Sequence, residues 1–252
     1  MGAQTLSGTT RVFAVLGRPA RHSKSPALFN AWFAERGLDA VYVALEPTAG
    51  DIGAWLTASG LAGANLTAPF KTAVLSGLVG LTAEAEAVGA VNTAWPTPSG
   101  WMGHNTDPAG IVATLDEQTP GWQSMSAAVL GAGGAARAAV LALVRRGVPS
   151  ICVVARNPSK AAWALQYPQG SVQPWQTPVA QLVVDCTSGD GAAAAALGPT
   201  DSTRVWFDLT YSRHPSPIQS AVGVRGAHFV DGTTLLQHVA RFSLDTFLGA
   251  TG

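Results

Sequence analysis

The chain has 252 residues, enough for one large domain or for two of ordinary size. Because its formal net charge is +0 and only 12% of its residues are charged, the composition indicates no polyanionic partner such as nucleic acid. The two cysteines stand inside apolar runs and away from metal-ligand spacing, which predicts core thiols, a reducing compartment and no metal site.

Targeting signals are not evident in the sequence. The segment after Met1 lacks the apolar core of a signal peptide, and the longest apolar stretch, residues 127–144, is interrupted by glycines and by Arg137. We therefore expect a soluble, cytoplasmic protein without a membrane span. The sequence favours neither a monomer nor an oligomer.

The first half of the chain alternates strand and helix signals. Apolar runs predict strands at residues 11–16, 40–45 and 63–67, and apolar residues at helical spacing predict helices at 26–36 and 52–59. Residues 90–94 and 100–103 are typical of a hairpin, and a helix that begins at Asp107 leaves this half.

The second half repeats strand and helix from residue 127 to about residue 210, after a turn-rich connection at 118–124. A last helix at 232–249 is expected to pack back on the first half, which makes that domain discontinuous. The pattern predicts an α/β fold of two domains with a cleft between them. Their predicted limits are 1–107 plus 232–252 for the first and 108–231 for the second.

A glycine-rich turn, Gly131-Ala-Gly-Gly134, follows an apolar run and opens into a helix. Unpaired backbone N–H groups and the helix dipole make such a turn suitable for a pyrophosphate. Gly131 would allow the tight turn, Gly133 would let phosphates approach the backbone, and Ala136 would let the helix pack closely on the strand. In the structural alternative these small residues serve packing alone.

Cations follow the next strand, residues 150–155, where an NAD-binding protein would usually carry Asp or Glu. A guanidinium such as that of Arg156 suits a 2′-phosphate by charge and by bidentate geometry, and Lys160 adds a second positive charge. The alternative is a solvated loop. Together with the glycine turn, these residues favour NADP over NAD and a Rossmann-like second domain.

The predicted strands of the first half end in polar residues, where an α/β sheet presents its ligand-binding groups. Two serines, Ser23 and Ser25, precede the first helix, where they can cap it or hold a carboxylate. Alternation along the third strand places Asn65 and Thr67 on one face, and the proline that follows turns Lys71 back toward the strand end.

Two further polar positions follow later in this half. Asn92 stands at the predicted end of another strand, and Asp107 stands at a helix start. Taken alone, Asp107 is most simply a helix N-cap and a lone lysine is most simply a solvated surface residue. The residues alone therefore leave both a structural and a functional interpretation open.

Seven short motifs in order resemble the shikimate dehydrogenase family over nearly the whole chain. They are His22-Ser-Lys-Ser-Pro26, Asn65-Leu-Thr-Ala-Pro-Phe-Lys71, Ala90-Val-Asn-Thr93, Asn105-Thr-Asp107, Gly131-Ala-Gly-Gly134, Asp208-Leu-Thr-Tyr211 and Asp231-Gly232. The resemblance implies an NADP-dependent enzyme that interconverts 3-dehydroshikimate and shikimate on the route to aromatic amino acids. It also implies that the first domain binds substrate and the second binds NADP.

The resemblance assigns roles residue by residue. Lys71 and Asp107 become the catalytic pair. The implied substrate residues are Ser23, Ser25, Asn65, Thr67, Asn92 and Tyr211, with the serines near the carboxylate and the amides near the ring hydroxyls. The implied cofactor residues are Gly131, Gly133, Gly134, Ala135, Arg156, Lys160, Thr187 and Gly232. Reducing a ketone leaves an alkoxide that needs a proton, which a lysine ammonium can supply without a metal ion.

The chain departs from the family pattern in its last helix, where Val239 stands at the position of the usual glutamine. Gln237 lies about 160° away around a helix and cannot simply substitute for it. The family's Asn-Arg-Thr after the second strand of the nucleotide domain is also changed, although Arg156 remains. A quinate or aminoshikimate dehydrogenase, or a nucleotide-sensing homologue without turnover, are the alternatives.

Overall fold

The structure is a computed structural model that describes residues 6–48, 50–187, 192–211 and 218–249. Its backbone divides into two compact units, Met1–Thr106 with Val239–Gly252, and Asp107–His238. The domain limits expected from the sequence, after residue 107 and before residue 232, stay a prediction. No helix of the described chain is long and apolar enough to cross a membrane.

The first unit contains a six-stranded sheet. Its strands are β1 (Arg11–Leu16), β2 (Ala40–Leu45), β3 (Gly63–Leu66), β4 (Gly80–Leu81), β5 (Thr93–Thr97) and β6 (Gly100–His104). The strands lie in the order β2-β1-β3-β5-β6-β4. The α-helices between β1 and β5 are α1 (Ser25–Glu35), α2 (Ile52–Ala58), α3 (Phe70–Ala73) and α4 (Ala83–Val88).

Both faces of this sheet are covered, which explains why β1 is apolar at consecutive positions rather than at alternate ones. Phe13 and Val15 pack in one buried cluster with Phe29 of α1. Ala14 and Leu16 point to the opposite face and pack in a second cluster with α2 and α3.

The direction of β5 decides where the polar residues gather. This strand is antiparallel to both β3 and β6, whereas β1, β2 and β3 are parallel to one another. The start of β5 therefore lies at the same sheet edge as the ends of β3 and β6. The hairpin expected from the sequence is present, but the expectation that Asn92 ends a strand is wrong, because β5 begins one residue later at Thr93.

The second unit contains a sheet of six parallel strands. They are β7 (Ala127–Leu130), β8 (Ile151–Ala155), β9 (Gly170–Pro174), β10 (Leu182–Asp185), β11 (Val205–Asp208) and β12 (His228–Val230). Its helices are α5 (Asp107–Gln118), α6 (Gly134–Arg145), α7 (Ala192–Ala195) and α8 (Gln219–Val224). The last helix, α9 (Gly232–Gly249), begins in this unit and ends in the first, with the bounds that the sequence predicted.

The strand order of the second sheet is β12-β11-β10-β7-β8-β9. This is the doubly wound order in which the connections reverse direction between two central strands, here β7 and β10. The Rossmann-like architecture expected for this part of the chain is therefore confirmed. In such sheets a ligand binds outside the carboxyl ends of the strands at the point of reversal.

Candidate active site

Ser23 lies between β1 and α1 at the carboxyl edge of the first sheet, and Ser25 lies at the start of α1. The hydroxyl of Ser23 accepts a hydrogen bond of 3.2 Å from the backbone N–H of Ser25, the first residue of α1. Ser25 is 8% exposed. The expectation that one of the serines caps the helix is wrong, because the N-cap of α1 is Lys24, which makes no side-chain cap hydrogen bond. The contact between Ser23 and Ser25 instead fixes the turn that leads into α1.

Asn65 is held at both ends of its side-chain amide. Its Oδ1 accepts a hydrogen bond of 2.7 Å from the hydroxyl of Tyr42, which is 1% exposed. Its Nδ2 lies 3.1 Å from the Asn92 carbonyl oxygen, 3.1 Å from Thr93 Oγ1 and 2.9 Å from Ser243 Oγ. Because an amide NH₂ has two hydrogens, these partners occupy its donor capacity.

Asn92 is bound in a similar way to the segment that follows β6. Its Oδ1 accepts a hydrogen bond of 2.9 Å from the backbone N–H of Thr106, and its Nδ2 lies 3.0 Å from Thr106 Oγ1. The Thr93 hydroxyl also donates to Asn92 Oδ1, at 2.9 Å. Asn92 is 3% exposed and Thr106 is fully buried. These contacts fix the chain immediately before Asp107.

The predicted catalytic residues lie on two helices. Lys71 is half-buried on α3, where its backbone carbonyl accepts a hydrogen bond of 2.8 Å from Val91. Asp107 is half-buried in the first turn of α5, where the positive end of the helix dipole favours a carboxylate. Lys71 belongs to the first unit, and Asp107 is the first residue of the second.

His104 ends β6 at this edge, and the pKa of its imidazole is displaced. Burial lowers the pKa of its imidazole, and the charge of Glu84 opposes that shift. Its Nδ1 lies 2.7 Å from Thr82 Oγ1. The neutral imidazole is therefore favoured at the end of β6, three residues before Asp107.

The glycine turn of the second unit connects β7 to α6 as the sequence predicted. Gly131 has φ +112°, a value that residues with a side chain rarely adopt. Gly133 is the N-cap of α6 in an extended conformation, and the space where a Cβ would stand is open. Ala136 is fully buried, as expected for a small residue that brings the helix close to the sheet.

The reversal point of the second sheet brings this turn beside the end of β10. A Cβ at Gly131 would lie 3.4 Å from the carbonyl oxygen of Cys186. The next residue, Thr187, is oriented by Asp185, whose Oδ1 accepts hydrogen bonds of 2.9 Å from its N–H and 2.6 Å from its hydroxyl. The structure thus places two separate parts of the predicted cofactor site on neighbouring strands.

The predicted 2′-phosphate residues follow β8. Arg156 and Lys160 are exposed, and their side chains have no hydrogen-bond or ion-pair partner among the residues that the structure describes. Asn157 between them caps a short 3₁₀ helix by accepting a hydrogen bond of 3.1 Å from the N–H of Ser159. Two accessible cations therefore follow β8, Arg156 before the 3₁₀ helix (Pro158–Gln166) and Lys160 within its first turn.

Two other predicted residues lie near the start of α9. Gly232 is buried, and a Cβ there would overlap the Leu209 carbonyl oxygen and lie 2.6 Å from the Thr210 carbonyl carbon. Close backbone packing is thus a sufficient structural reason for this glycine. Tyr211 is half-buried and directly precedes a segment outside the described residues.

The structure adds residues that the sequence reasoning did not assign to the site. Tyr42, Thr93, Thr106 and Ser243 surround the two predicted amides, and Ser243 is fully buried. Thr93 and Thr106 stood inside recognised motifs, whereas Tyr42 and Ser243 did not, because one polar residue on an apolar strand or helix face carries no local signal. Val239 is half-buried and Gln237 is exposed, so α9 supplies no glutamine at the expected position.

The guanidinium of Arg137 stacks 4.8 Å from the ring centroid of Trp163, close to the start of α6. Among the described residues, no group of three or more His, Cys, Asp or Glu side chains could hold a metal ion.

The chain was compared with known proteins. A family model described as the shikimate dehydrogenase substrate binding domain matches residues 15–94. A shikimate dehydrogenase (NADP⁺) of Synechocystis is 33% identical over 97% of this chain and 92% of its own length. A shikimate dehydrogenase (NADP⁺) of Thermosynechococcus vestitus is also 33% identical, over 97% of this chain and 92% of its own.

Solved structures show the same similarity in three dimensions. The shikimate dehydrogenase of Aquifex aeolicus has a TM-score of 0.87 at 28% identity and covers 97% of this chain and 95% of its own. The shikimate 5-dehydrogenase of Thermus thermophilus, solved in complex with NADP(H) and shikimate, has a TM-score of 0.85 at 29% identity, with 95% and 94% covered.

Proposed function

The chain belongs to the shikimate dehydrogenase family, and from this premise we propose the roles of its individual residues. The reaction is the reversible, NADP-dependent reduction of 3-dehydroshikimate to shikimate. Lys71 is the acid–base residue and Asp107 its carboxylate partner. The observation that supports this proposal most directly is that the predicted substrate residues of the first unit gather at one edge of its sheet; they are Ser23, Ser25, Asn65, Thr67 and Asn92.

The acid–base step requires a proton at the carbonyl oxygen. When NADP is bound in its reduced form it supplies the hydride, and the ketone carbon that accepts this hydride leaves an alkoxide. The ammonium Nζ of Lys71 donates a proton to that oxygen, and in the reverse direction the neutral amine accepts the proton from the hydroxyl. The carboxylate of Asp107 orients the ammonium and stabilises its charge.

Substrate binding follows from the geometry of the sheet edge. Ser23 and Ser25, at the start of α1, face the substrate carboxylate, where hydroxyls and helix N–H groups favour an anion. Thr67 and Asn92 bind ring hydroxyls, and Tyr211 completes the set. Asn65 contributes mainly by holding this edge together, because its NH₂ group already has three protein acceptors.

The second unit fits NADP. The open helix start beside Gly133 would bind the pyrophosphate through backbone N–H groups, with Gly131, Gly134 and Ala135 keeping the approach free of large side chains. Thr187 and Gly232 would lie along the dinucleotide. The accessible cations of Arg156 and Lys160 would bind the 2′-phosphate. We place this biosynthetic enzyme in the cytoplasm.

The test is a pair of variants compared with the wild-type enzyme. Replacing Lys71 by methionine keeps the length of the side chain and removes the proton, so kcat should fall by about 10²- to 10⁴-fold. Shikimate and NADP binding, measured by calorimetry, should persist. Arg36→Met, which removes an exposed cation after α1, is the control and should retain wild-type kcat.

The absorbance of reduced nicotinamide reports the reaction with either substrate. Growth of this band with shikimate and NADP, and a much slower rate with quinate, is the expected result. Lys71→Met at the wild-type rate would contradict the acid–base role. Activity with quinate alone would contradict the substrate, and binding of NADP without turnover of any substrate would favour a nucleotide-sensing protein.

A further inference from the structure

Ser243 lies on α9 one helical turn after Val239, on the same side of the helix. Its side chain is fully buried. Three polar side chains of the first unit surround its hydroxyl oxygen: Asn65 Nδ2 at 2.9 Å, Thr93 Oγ1 at 2.8 Å and Thr106 Oγ1 at 3.3 Å. Because this buried hydroxyl contacts three side chains, it takes part in the polar network of the first unit.

The partners of Asn65 settle which way its amide faces. The Asn92 backbone carbonyl can only accept a hydrogen bond, so the group 3.1 Å from it is the NH₂. Tyr42 then donates to the amide oxygen from the opposite end, at 2.7 Å. Ser243 therefore accepts from Asn65, and its own hydrogen is available to one of the two threonines.

The two threonines extend this network to the second amide. Thr93 and Thr106 each approach Asn92 Oδ1, at 2.9 Å and 3.2 Å between oxygen atoms. The hydroxyl of Ser243 is thus hydrogen-bonded directly to Asn65. It is connected to Asn92 through Thr93 and, separately, through Thr106. Thr106 Oγ1 also lies 3.4 Å from the backbone carbonyl oxygen of Val239, so the same hydroxyl contacts α9 at two positions.

We propose that Ser243 is a positioning residue of the substrate site, and this inference rests on the proposed function. Its buried hydroxyl fixes the amide of Asn65 and, through Thr93 and Thr106, that of Asn92 in the orientation that binds the ring hydroxyls. Because Val239 offers no hydrogen bond from its side chain, α9 contributes to polyol recognition through this indirect route.

Removing the hydroxyl forces the network to find new partners. Thr93 loses the hydroxyl of Ser243 as its hydrogen-bond partner at 2.8 Å. The hydroxyl hydrogens of Thr93 and Thr106 then compete for the same acceptor, Asn92 Oδ1. Buried groups that re-pair do so by shifting, since leaving them unpaired costs more than a small displacement. The Asn92 amide is therefore displaced without any change in a residue that touches substrate.

The test compares Ser243→Ala with Thr246→Ala. Thr246 is on the same helix, but its hydroxyl donates to the Phe242 backbone carbonyl at 2.9 Å, so its loss leaves the network intact. Ser243→Ala should lower kcat/KM for shikimate about tenfold, mainly through KM, with the dissociation constant of NADP unchanged within twofold. Thr246→Ala should stay within twofold of wild type in both quantities.

A second readout does not depend on turnover. The side-chain NH₂ resonances of Asn65 and Asn92 in ¹⁵N-labelled protein should move in Ser243→Ala and stay in place in Thr246→Ala. Ser243→Thr keeps a hydroxyl and should recover at least half of the kcat/KM that Ser243→Ala loses. If the alanine variant does not fold, the threonine variant replaces it in the test. Both amide resonances should then stay near their wild-type positions.

The outcomes separate the two proposals. Unmoved amide resonances in folded Ser243→Ala, or a kcat/KM within twofold of wild type, would overturn the positioning role. Equal losses of kcat/KM and NADP affinity would also overturn it, because they indicate a general structural defect. A wild-type enzyme that turns over neither shikimate nor its ketone would instead overturn the proposed function, and the resonances would still decide the role of Ser243.

Discussion

Replacing Arg156 by alanine should change the choice between NADP and NAD. The guanidinium is exposed and has no partner among the described residues, so NADP binding requires no existing ion pair to break. Hydrogen bonds to a charged group contribute about 1.5 to 3 kcal/mol. Since about 1.4 kcal/mol corresponds to a factor of ten, the KM for NADP should rise about 10- to 150-fold.

The KM for NAD should change little, because NAD lacks the phosphate that Arg156 is proposed to bind. The assay is steady-state reduction of each cofactor with saturating shikimate, repeated at two ionic strengths, because salt screens an exposed charge pair and should weaken NADP binding in the wild type most. Arg36→Ala is the control for loss of one surface cation. An unchanged ratio of kcat/KM for NADP over NAD would refute the assignment of this loop to the 2′-phosphate.

Three further predictions concern close packing and protonation. Gly17→Ala should raise the KM for shikimate several-fold in steady-state kinetics with little change in melting temperature, because the new Cβ overlaps the Thr67 methyl group. Gly232→Ala should lower the free energy of unfolding by about 1 to 3 kcal/mol or more, seen as a lower urea midpoint at constant m, since the new Cβ meets the Leu209 backbone. The lowered pKa of His104 means that the unfolded state takes up this proton first, so stability should fall as pH drops through about 6.5; in melting curves His104→Gln should show a smaller loss there.

Strands with uninterrupted apolar runs were predictable from the sequence. The bounds of β1 and β2 agree with the prediction because each contains an uninterrupted run of at least five apolar residues followed by turn residues. The segment between β3 and β5 was not predicted, since it contains a two-residue strand and helices of four and six residues that give no clear period. The prediction for β5 ended before Pro96, because proline within a run argues against a strand.

The residues of the candidate site divide in the same way. Lys71, Asn92 and Asp107 stood in recognisable motifs, whereas Ser243 is a single serine in an apolar helix face and Tyr42 is one aromatic residue in an apolar strand. Their importance arises from contacts between residues 65 and 243, which lie 178 positions apart in the chain. Such contacts depend on how the strands and α9 pack, and no local pattern encodes them.

The two units also carry their functional signals differently. In the first, the family model matches residues 15–94 and the site residues are specific side chains at one sheet edge. In the second, the strongest signal is topological: the strand order reverses between β7 and β10, and the glycine turn stands at that reversal. Backbone N–H groups bind a pyrophosphate whatever the neighbouring side chains are, so only the ribose phosphate needs specific residues. Cofactor choice should therefore respond to changes at Arg156 and Lys160, and substrate choice to changes around Asn65 and Asn92.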